Sequence, residues 1–316
     1  MNGIINEYKE KGYTSHDVVA KLRGILRQKK IGHTGTLDPQ AEGVLPVCLG
    51  NATRLCDLLT DKTKEYEAVL RLGVTTDTQD MTGTVLAESP VSISEDDIIK
   101  IMSTFKGKIM QVPPMYSALK VDGRKLVDLA REGIEVERKA REIEIFSLEI
   151  IEVKLPLVRF RVNCSKGTYI RTLCQDIGEK AGCGGAMESL LRSRVDRFEV
   201  KDSLTLGQIE KVRDEQKLDE ILYPVDDVFL HLPAVTVKNE FRKVIDNGNS
   251  LYPKMYTPRV EFFSDENNTP AQIRVYNEDG IFYGIYVYDA ERRRMKPYKM
   301  FLDKEALKEK YGKEYF

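Results

Sequence analysis

The stretch that most constrains this chain is Ile31-Gly32-His33-Thr34-Gly35-Thr36-Leu37-Asp38-Pro39, followed by Gly43-Val44-Leu45-Pro46-Val47. Glycine reaches backbone angles closed to other residues, so the segment can turn sharply and admit a ligand closely. Pro39 lacks an N–H and pushes Asp38 away from helical geometry. The spacing therefore predicts a stiff, irregular loop that presents one aspartate and one histidine between apolar elements. Binding and catalytic groups are commonly carried on such loops. Taken alone, an Asp-Pro pair is equally the mark of a plain turn.

The elements around the loop read as mixed helices and strands. Thr14 and Asp17 make a capping box for a helix over 14–29, with Val18, Val19, Leu22, Ile25 and Leu26 as its apolar stripe. Asn51 reads as the cap of a short helix through Leu59. Tyr66, Ala68, Leu70 and Leu72 alternate with Glu65, Glu67, Val69 and Arg71, the pattern of a strand with one face more buried. After the polar stretch Thr75–Asp80, Ser94 caps a helix over about 95–106, and Gly107 stops it. The prolines within Gln111–Lys120 exclude a central strand there. Lys125–Glu132 reads as a short helix closed by Gly133. Residues 141–153 and 157–164 form a strand pair joined at Leu155-Pro156. The second strand runs into Ser165-Lys166-Gly167-Thr168-Tyr169-Ile170-Arg171. Gly167 turns the chain there, and Thr168 reads as the cap of a helix with Ile170, Leu173, Ile177 and Ala181 inward, ended by Gly182. Arg171 adds a cation where the helix dipole is already positive, which calls for a nearby carboxylate.

With 316 residues the chain exceeds one typical core, so two domains are expected. The pattern changes at Tyr223-Pro224 and Leu232-Pro233, which suggests domains over 1–230 and 231–316. The second is β-rich, with runs at Ala234–Lys238, Gln272–Tyr276 and Phe282–Tyr288, then a short charged helix through Tyr311. No apolar run approaches a membrane span, and the N-terminus shows no basic n-region. The five cysteines have no metal-ligand spacing and read as reduced thiols of a cytoplasmic protein. A net charge of −1 neither announces nor excludes a nucleic-acid partner, because phosphate binding follows the local field. Basic residues gather at Arg23, Arg27, Lys29 and Lys30, and again at Arg292, Arg293, Arg294, Lys296 and Lys299. Either cluster is also what a solvated face looks like.

Five stretches, in order, resemble the TruB family of tRNA pseudouridine synthases. They are Lys11–Ser15, Gly32–Pro39 with Gly43–Pro46, Lys64-Glu65-Tyr66, Pro113–Lys120 with Gly123, and Ser165–Thr172. They cover the first two thirds of the chain, and the departure is Glu10, where the family often has proline. The resemblance implies an α+β pseudouridine synthase fold, a mixed and largely antiparallel sheet flanked by helices and loops. A small β-rich, PUA-like RNA-binding domain would follow, on much weaker similarity. The implied reaction acts on uridine 55 of the tRNA T-loop: uracil leaves its ribose, rotates and reattaches through carbon. No redox change or external group takes part, so no cofactor and no metal are implied.

A carboxylate can be the nucleophile of such a reaction, and Asp38 matches the family's catalytic aspartate. Arg171 matches the arginine that keeps it ionised, a role a guanidinium can fill bidentately. The target base must be flipped out, and Tyr66 matches the family's active-site tyrosine as a stacking face. His33, Lys64, Tyr169 and Leu191 match substrate-side positions, His33 as support for the flipped conformation and Leu191 as packing against the base. The implied partner is the T-arm of tRNA, with no membrane and no obligate protein partner, in the cytoplasm. Two other readings compete. One is a tRNA-binding folding chaperone that acts without catalysis, which needs no Asp38, Tyr66 and Arg171 as a set. The other is a phosphate cradle at Gly32–Gly35, whose spacing fits neither the P-loop nor the dinucleotide fingerprint.

Overall fold

The computed structural model describes residues 1–258, 271–304, 307, 308 and 312. The chain runs β1 (Gly3–Lys9), α1 (Ser15–Ile25), β2 (Ile31–His33), β3 (Glu42–Leu49), α2 (Cys56–Thr60), β4 (Lys64–Leu72), the hairpin β5 (Val74–Thr76) and β6 (Val85–Glu88), α3 (Glu95–Ser103) and β7 (Gly107–Gln111). It continues with β8 (Lys120–Val121), β9 (Arg124–Lys125), α4 (Leu126–Arg131), β10 (Arg141–Lys154), β11 (Leu157–Cys164), α5 (Ile170–Lys180), β12 (Gly185–Val195), β13 (Phe198–Glu199) and α6 (Leu206–Asp214). The last part holds β14 (Ala234–Val237), α7 (Arg242–Asp246), β15 (Tyr256–Thr257), β16 (Gln272–Asn277), β17 (Phe282–Asp289) and β18 (Arg294–Met300).

The α+β expectation holds. A nine-stranded sheet runs β1-β3-β12-β4-β11-β10-β7, with β2 added to β3 and β13 to β12. Its pairs are antiparallel except β12 with β3. On β4 the alternation is complete: Lys64, Tyr66, Ala68, Leu70 and Leu72 are buried and the residues between are half-exposed. That face, with Val158, Phe160 and Val162 of β11, packs against Ile170, Leu173 and Ile177 of α5 and Ile98 and Met102 of α3. Helix α1 lays Val18, Val19 and Leu22 on Ile5, Leu45 and Val47 of the same sheet.

Three local expectations are corrected. Helix α1 carries the expected Thr14–Asp17 capping box but ends at Ile25, because Arg27 turns into the left-handed region at φ 49°. Asn51 caps nothing; its side-chain amide instead donates to the carbonyls of Phe301 and Leu302 at 3.3 and 3.1 Å. Thr168 does not cap α5, since its hydroxyl donates to the Ser165 carbonyl at 2.9 Å and Tyr169 occupies the cap position. The Gln111 side chain fixes Tyr169 there, accepting from its N–H at 2.9 Å and donating to its carbonyl at 3.0 Å.

A second sheet, β15-β14-β16-β17-β18, has five strands and its own core of Val235, Ile245, Ile273, Val275, Tyr283 and Met295. Phe282, Ile285 and Phe301 reach past that core to pack with Ile4, Val44, Leu55, Phe198 and Phe229, so the two sheets share an apolar cluster. The helix expected through Tyr311 falls partly on residues outside those described. Among the described residues no helix is long and apolar enough to cross a membrane.

Candidate active site

The large sheet sets the site out as one row. Strand register pairs Lys9 with Gly43, Gly43 with Arg192, Arg192 with Tyr66 and Tyr66 with Val162, across β1, β3, β12, β4 and β11. Side chains of paired residues share a face, so Lys9, Arg192 and Tyr66 all point the same way. Gly43 has a φ of 105°, and a Cβ there would lie 2.3 Å from the Arg192 carbonyl oxygen. Only glycine allows β3 and β12 to approach this closely.

In front of the row lies a cavity of about 570 Å³. Asp38, Lys64, Tyr66, Tyr169, Arg171 and Arg192 line it, together with Tyr116, Arg141 and Leu190. The sequence thus singled out five of these residues, Asp38, Lys64, Tyr66, Tyr169 and Arg171, which the fold gathers from three separate segments. Arg171 Nε contacts Asp38 Oδ2 at 3.0 Å, the carboxylate that its odd place in α5 called for. The contact runs through Nε alone and is not the two-pronged grip that the guanidinium could make. Its other nitrogens are taken up elsewhere: one donates to the Thr78 carbonyl at 3.0 Å and meets Asp80 Oδ2 at 3.5 Å, and the other donates to the Tyr116 carbonyl at 2.8 Å. Arg171 keeps 6% of its side chain accessible against 42% for Asp38. A buried, four-point-held cation therefore presents a carboxylate to the cavity.

Burial among protein atoms raises the Asp38 carboxyl above its ordinary range; Arg171 and Lys9 pull it down and Asp80 pushes it up. Tyr66 is buried beside Arg192, and its phenol stays neutral to higher pH than usual because burial disfavours the anion. Arg192 is 1% exposed. It donates from Nε to the Val44 carbonyl at 2.7 Å and from a terminal nitrogen to the Gly35 carbonyl at 3.2 Å. Lys64 is buried too, donating to the carbonyls of Thr60 and Lys62, and burial lowers it to about 8. Burial likewise raises the Tyr169 phenol.

Two expected residues stand off the cavity. His33 ends β2, where its Nδ1 accepts the Gly35 N–H at 3.3 Å and its ring meets His16 edge-on at 5.3 Å. It shapes the loop without lining the cavity. Leu191 pairs with Glu42 and Glu67, on the sheet face opposite Tyr66, and its neighbour Leu190 lines the cavity instead. Lys120, which follows the cavity-lining segment 116–119, is exposed.

No local signal marked Arg192, an arginine inside a strand, or Lys9, which is wholly enclosed. Asp80 was visible only as the end of a polar stretch. Its Oδ1 accepts from the Thr78 hydroxyl at 2.8 Å and the Thr82 N–H at 3.0 Å, which aims Oδ2 at Arg171. Among the described residues no group of three or more His, Cys, Asp or Glu could hold a metal ion.

Comparison with known proteins extends the geometry. The model of the TruB family pseudouridylate synthase N-terminal domain matches residues 23–170, and that of the tRNA pseudouridylate synthase B C-terminal domain matches 171–229. A tRNA pseudouridine synthase B of Lachnoclostridium phytofermentans is 54% identical over 311 residues, covering 96% of this chain and 100% of the relative. One from Clostridium kluyveri is 46% identical over 285 residues, covering 90% and 95%. Among solved structures, a Cbf5-Nop10-Gar1 complex matches with a TM-score of 0.69 at 26% identity, over 96% of this chain and 86% of the matched one. An H/ACA RNP bound to a substrate RNA containing 2'-deoxyuridine matches with a TM-score of 0.68 at 25% identity, over the same shares.

Proposed function

The chain belongs to the TruB family of pseudouridine synthases and is a tRNA-modifying isomerase; from there we propose that it acts on uridine 55 of the T-loop, with Asp38 as nucleophile. The observation that carries this reading is the Arg171–Asp38 contact inside the cavity. A carboxylate that must be ionised in a water-poor site needs a held cation, and Arg171 is that cation. A chaperone without chemistry would have no use for a carboxylate held by a buried arginine and turned to an open cavity, so the catalytic reading is favoured over it.

The reaction breaks the N1–C1′ bond, turns the uracil and forms a C5–C1′ bond, while the proton on C5 leaves and N1 gains one. Asp38 supplies the electron pair that opens this path. We assign to Tyr66 the stacking face for the flipped base and, through its hydroxyl beside Arg192, the passage of the C5 proton. Lys64 and Tyr169 close the cavity on the substrate side. We assign His33 the support of the loop from behind, and give the packing role at the base to Leu190 in place of Leu191. The T-arm is taken up by this domain, over 1–230, and the β-rich, PUA-like part over 231–316 holds tRNA backbone. The chain does this in the cytoplasm without a protein partner.

The test is direct. The purified chain, alone with an unmodified tRNA transcript, should form pseudouridine at position 55, and Asp38→Asn should abolish it while leaving tRNA binding mostly intact. The amide keeps the shape but is a poor nucleophile, and affinity rests on phosphate and shape contacts elsewhere. Turnover of the Asn variant at a rate near that of the parent would remove Asp38 from the role.

A further inference from the structure

Behind the site sits a carboxylate that the chemistry above does not use. Glu7 has no solvent exposure, and neither of its oxygens has a hydrogen-bond partner. Glu7 and Lys9 are two residues apart on β1, so both face the side of the sheet that carries Arg192 and Tyr66. Gly43 lies between Lys9 and Arg192 in the row and has no side chain, and the charge of Arg192 acts on Lys9 across it.

Each cation grips one end of the Asp38 loop. Lys9 Nζ donates to the Pro39 carbonyl at 3.2 Å, and to those of Tyr13 at 2.6 Å and Glu10 at 3.2 Å. Arg192 donates to the Gly35 carbonyl at 3.2 Å. Asp38 is thus suspended between Gly35 and Pro39, each tied to a buried positive charge. Two buried cations that feel one another lose hydration and repel, so they need a countercharge. The charged groups acting on Glu7 are Lys9 and Glu10 from its own strand and the residue after it, and Arg192 from β12. Lys9 in turn feels Glu7, Asp38, Glu42 and Arg192.

We propose that Glu7 is a positioning residue of the active site: in its ionised form it is the counter-anion of Lys9 and Arg192, and through them it then holds both ends of the loop that carries Asp38. It touches no substrate. This inference rests on the reading of Asp38 as the reacting group.

Burial pushes the Glu7 carboxyl up to about 8 and the Lys9 ammonium down to about 8. The sign follows. Glu7 is neutral below that pH and becomes the counter-anion as pH rises through it. Ionised Glu7 also holds Lys9 in its charged form. In Glu7→Gln no counter-anion forms, and Lys9 loses its proton at a lower pH. The brace of the parent therefore outlasts that of the variant as pH rises.

The experiment compares kcat on saturating tRNA for the parent, Glu7→Gln and Glu7→Leu between pH 6.5 and pH 9. The parent-to-variant ratio should grow by at least about threefold over that range for both variants, with KM for tRNA little changed. A second readout needs no activity. Hydrogen exchange of the amides from 35 to 41 at pH 8, with equal thermal unfolding monitored in parallel, should be at least about tenfold faster in Glu7→Gln, while the amides of α5 are unchanged. A ratio constant with pH, or equal loop exchange, overturns the assignment. If the parent forms no pseudouridine, the function reading falls by itself, and the exchange measurement still decides the role of Glu7.

Discussion

At the scale of the residue, the informative side chain is Arg171. It is almost fully buried, and its three nitrogens serve two carboxylates and two backbone carbonyls. A lysine has one point charge on a flexible stem and cannot span four acceptors. We expect Arg171→Lys to lower kcat by at least about tenfold, equivalent to about 1.4 kcal/mol of transition-state stabilisation. The variant should also change the pH profile. Arg171 is the larger of the two influences that pull the Asp38 carboxyl down against its burial. A weaker partner lets it rise further, so the acid limb of turnover should move to higher pH. A variant with parental turnover and an unmoved acid limb would show that Arg171 does not govern Asp38.

At the scale of the element, the site depends on how β12 is inserted between β3 and β4. It runs parallel to β3 and antiparallel to β4, and register irregularities fall between Met187 and Ser189 and between Arg192 and Arg194. The insertion brings Arg192 beside Tyr66 and turns Leu190, not Leu191, toward the cavity. Gly43 is the position that permits it. In Gly43→Ala the new Cβ would meet the Arg192 carbonyl and amide at 2.3 and 2.9 Å, in a backbone conformation that L side chains resist. The strain and the overpacking together should cost about 2–5 kcal/mol, read as a fall in unfolding free energy by denaturant titration. Parental stability in this variant would mean that the two strands have room to part.

At the scale of the whole molecule, the second sheet is fastened to the first. Phe282, Ile285 and Phe301 enter the shared apolar cluster, Asn51 donates to the carbonyls of Phe301 and Leu302, and Arg54 donates to that of Met300. A tRNA held on the second sheet is therefore held at a fixed offset from the cavity. The basic run at 292–299 lies at the β17–β18 turn and along β18. Arg292 and Arg293 are exposed, whereas Arg294 is half-buried and paired with Asp289 at 3.3 Å. Arg292 and Arg293 are therefore the two of the three that a phosphate could reach, and the phosphate-gripping proposal narrows to them. Replacing both with Ala should raise the tRNA dissociation constant and lower the slope of log affinity against log salt by about 0.7–0.9 for each true contact. Turnover at saturating tRNA should hardly change, since the cavity is built by the other sheet. An unaltered salt slope would return the run to a merely solvated face.

What the sequence determined by itself is what acts over a few residues. The Thr14–Asp17 box, the Ser94 cap, the alternation on β4 and β11 and the glycine–proline loop around Asp38 could all be read directly, because caps, pleats and backbone restrictions are local. Arg171 could even be read as needing an anion, since a helix terminus announces its charge. Only the tertiary structure decided which anion. Asp38 reaches it across more than a hundred residues, and Asp80 arrives from a hairpin whose polar residues carried no sign of a partner. Arg192, Lys9 and Glu7 were equally silent, because a charged residue in a strand looks solvated until the register of neighbouring strands buries it. Register is a non-local quantity, set by how β1, β3, β12 and β4 pack together, and in this protein it is what turns separate motifs into one site.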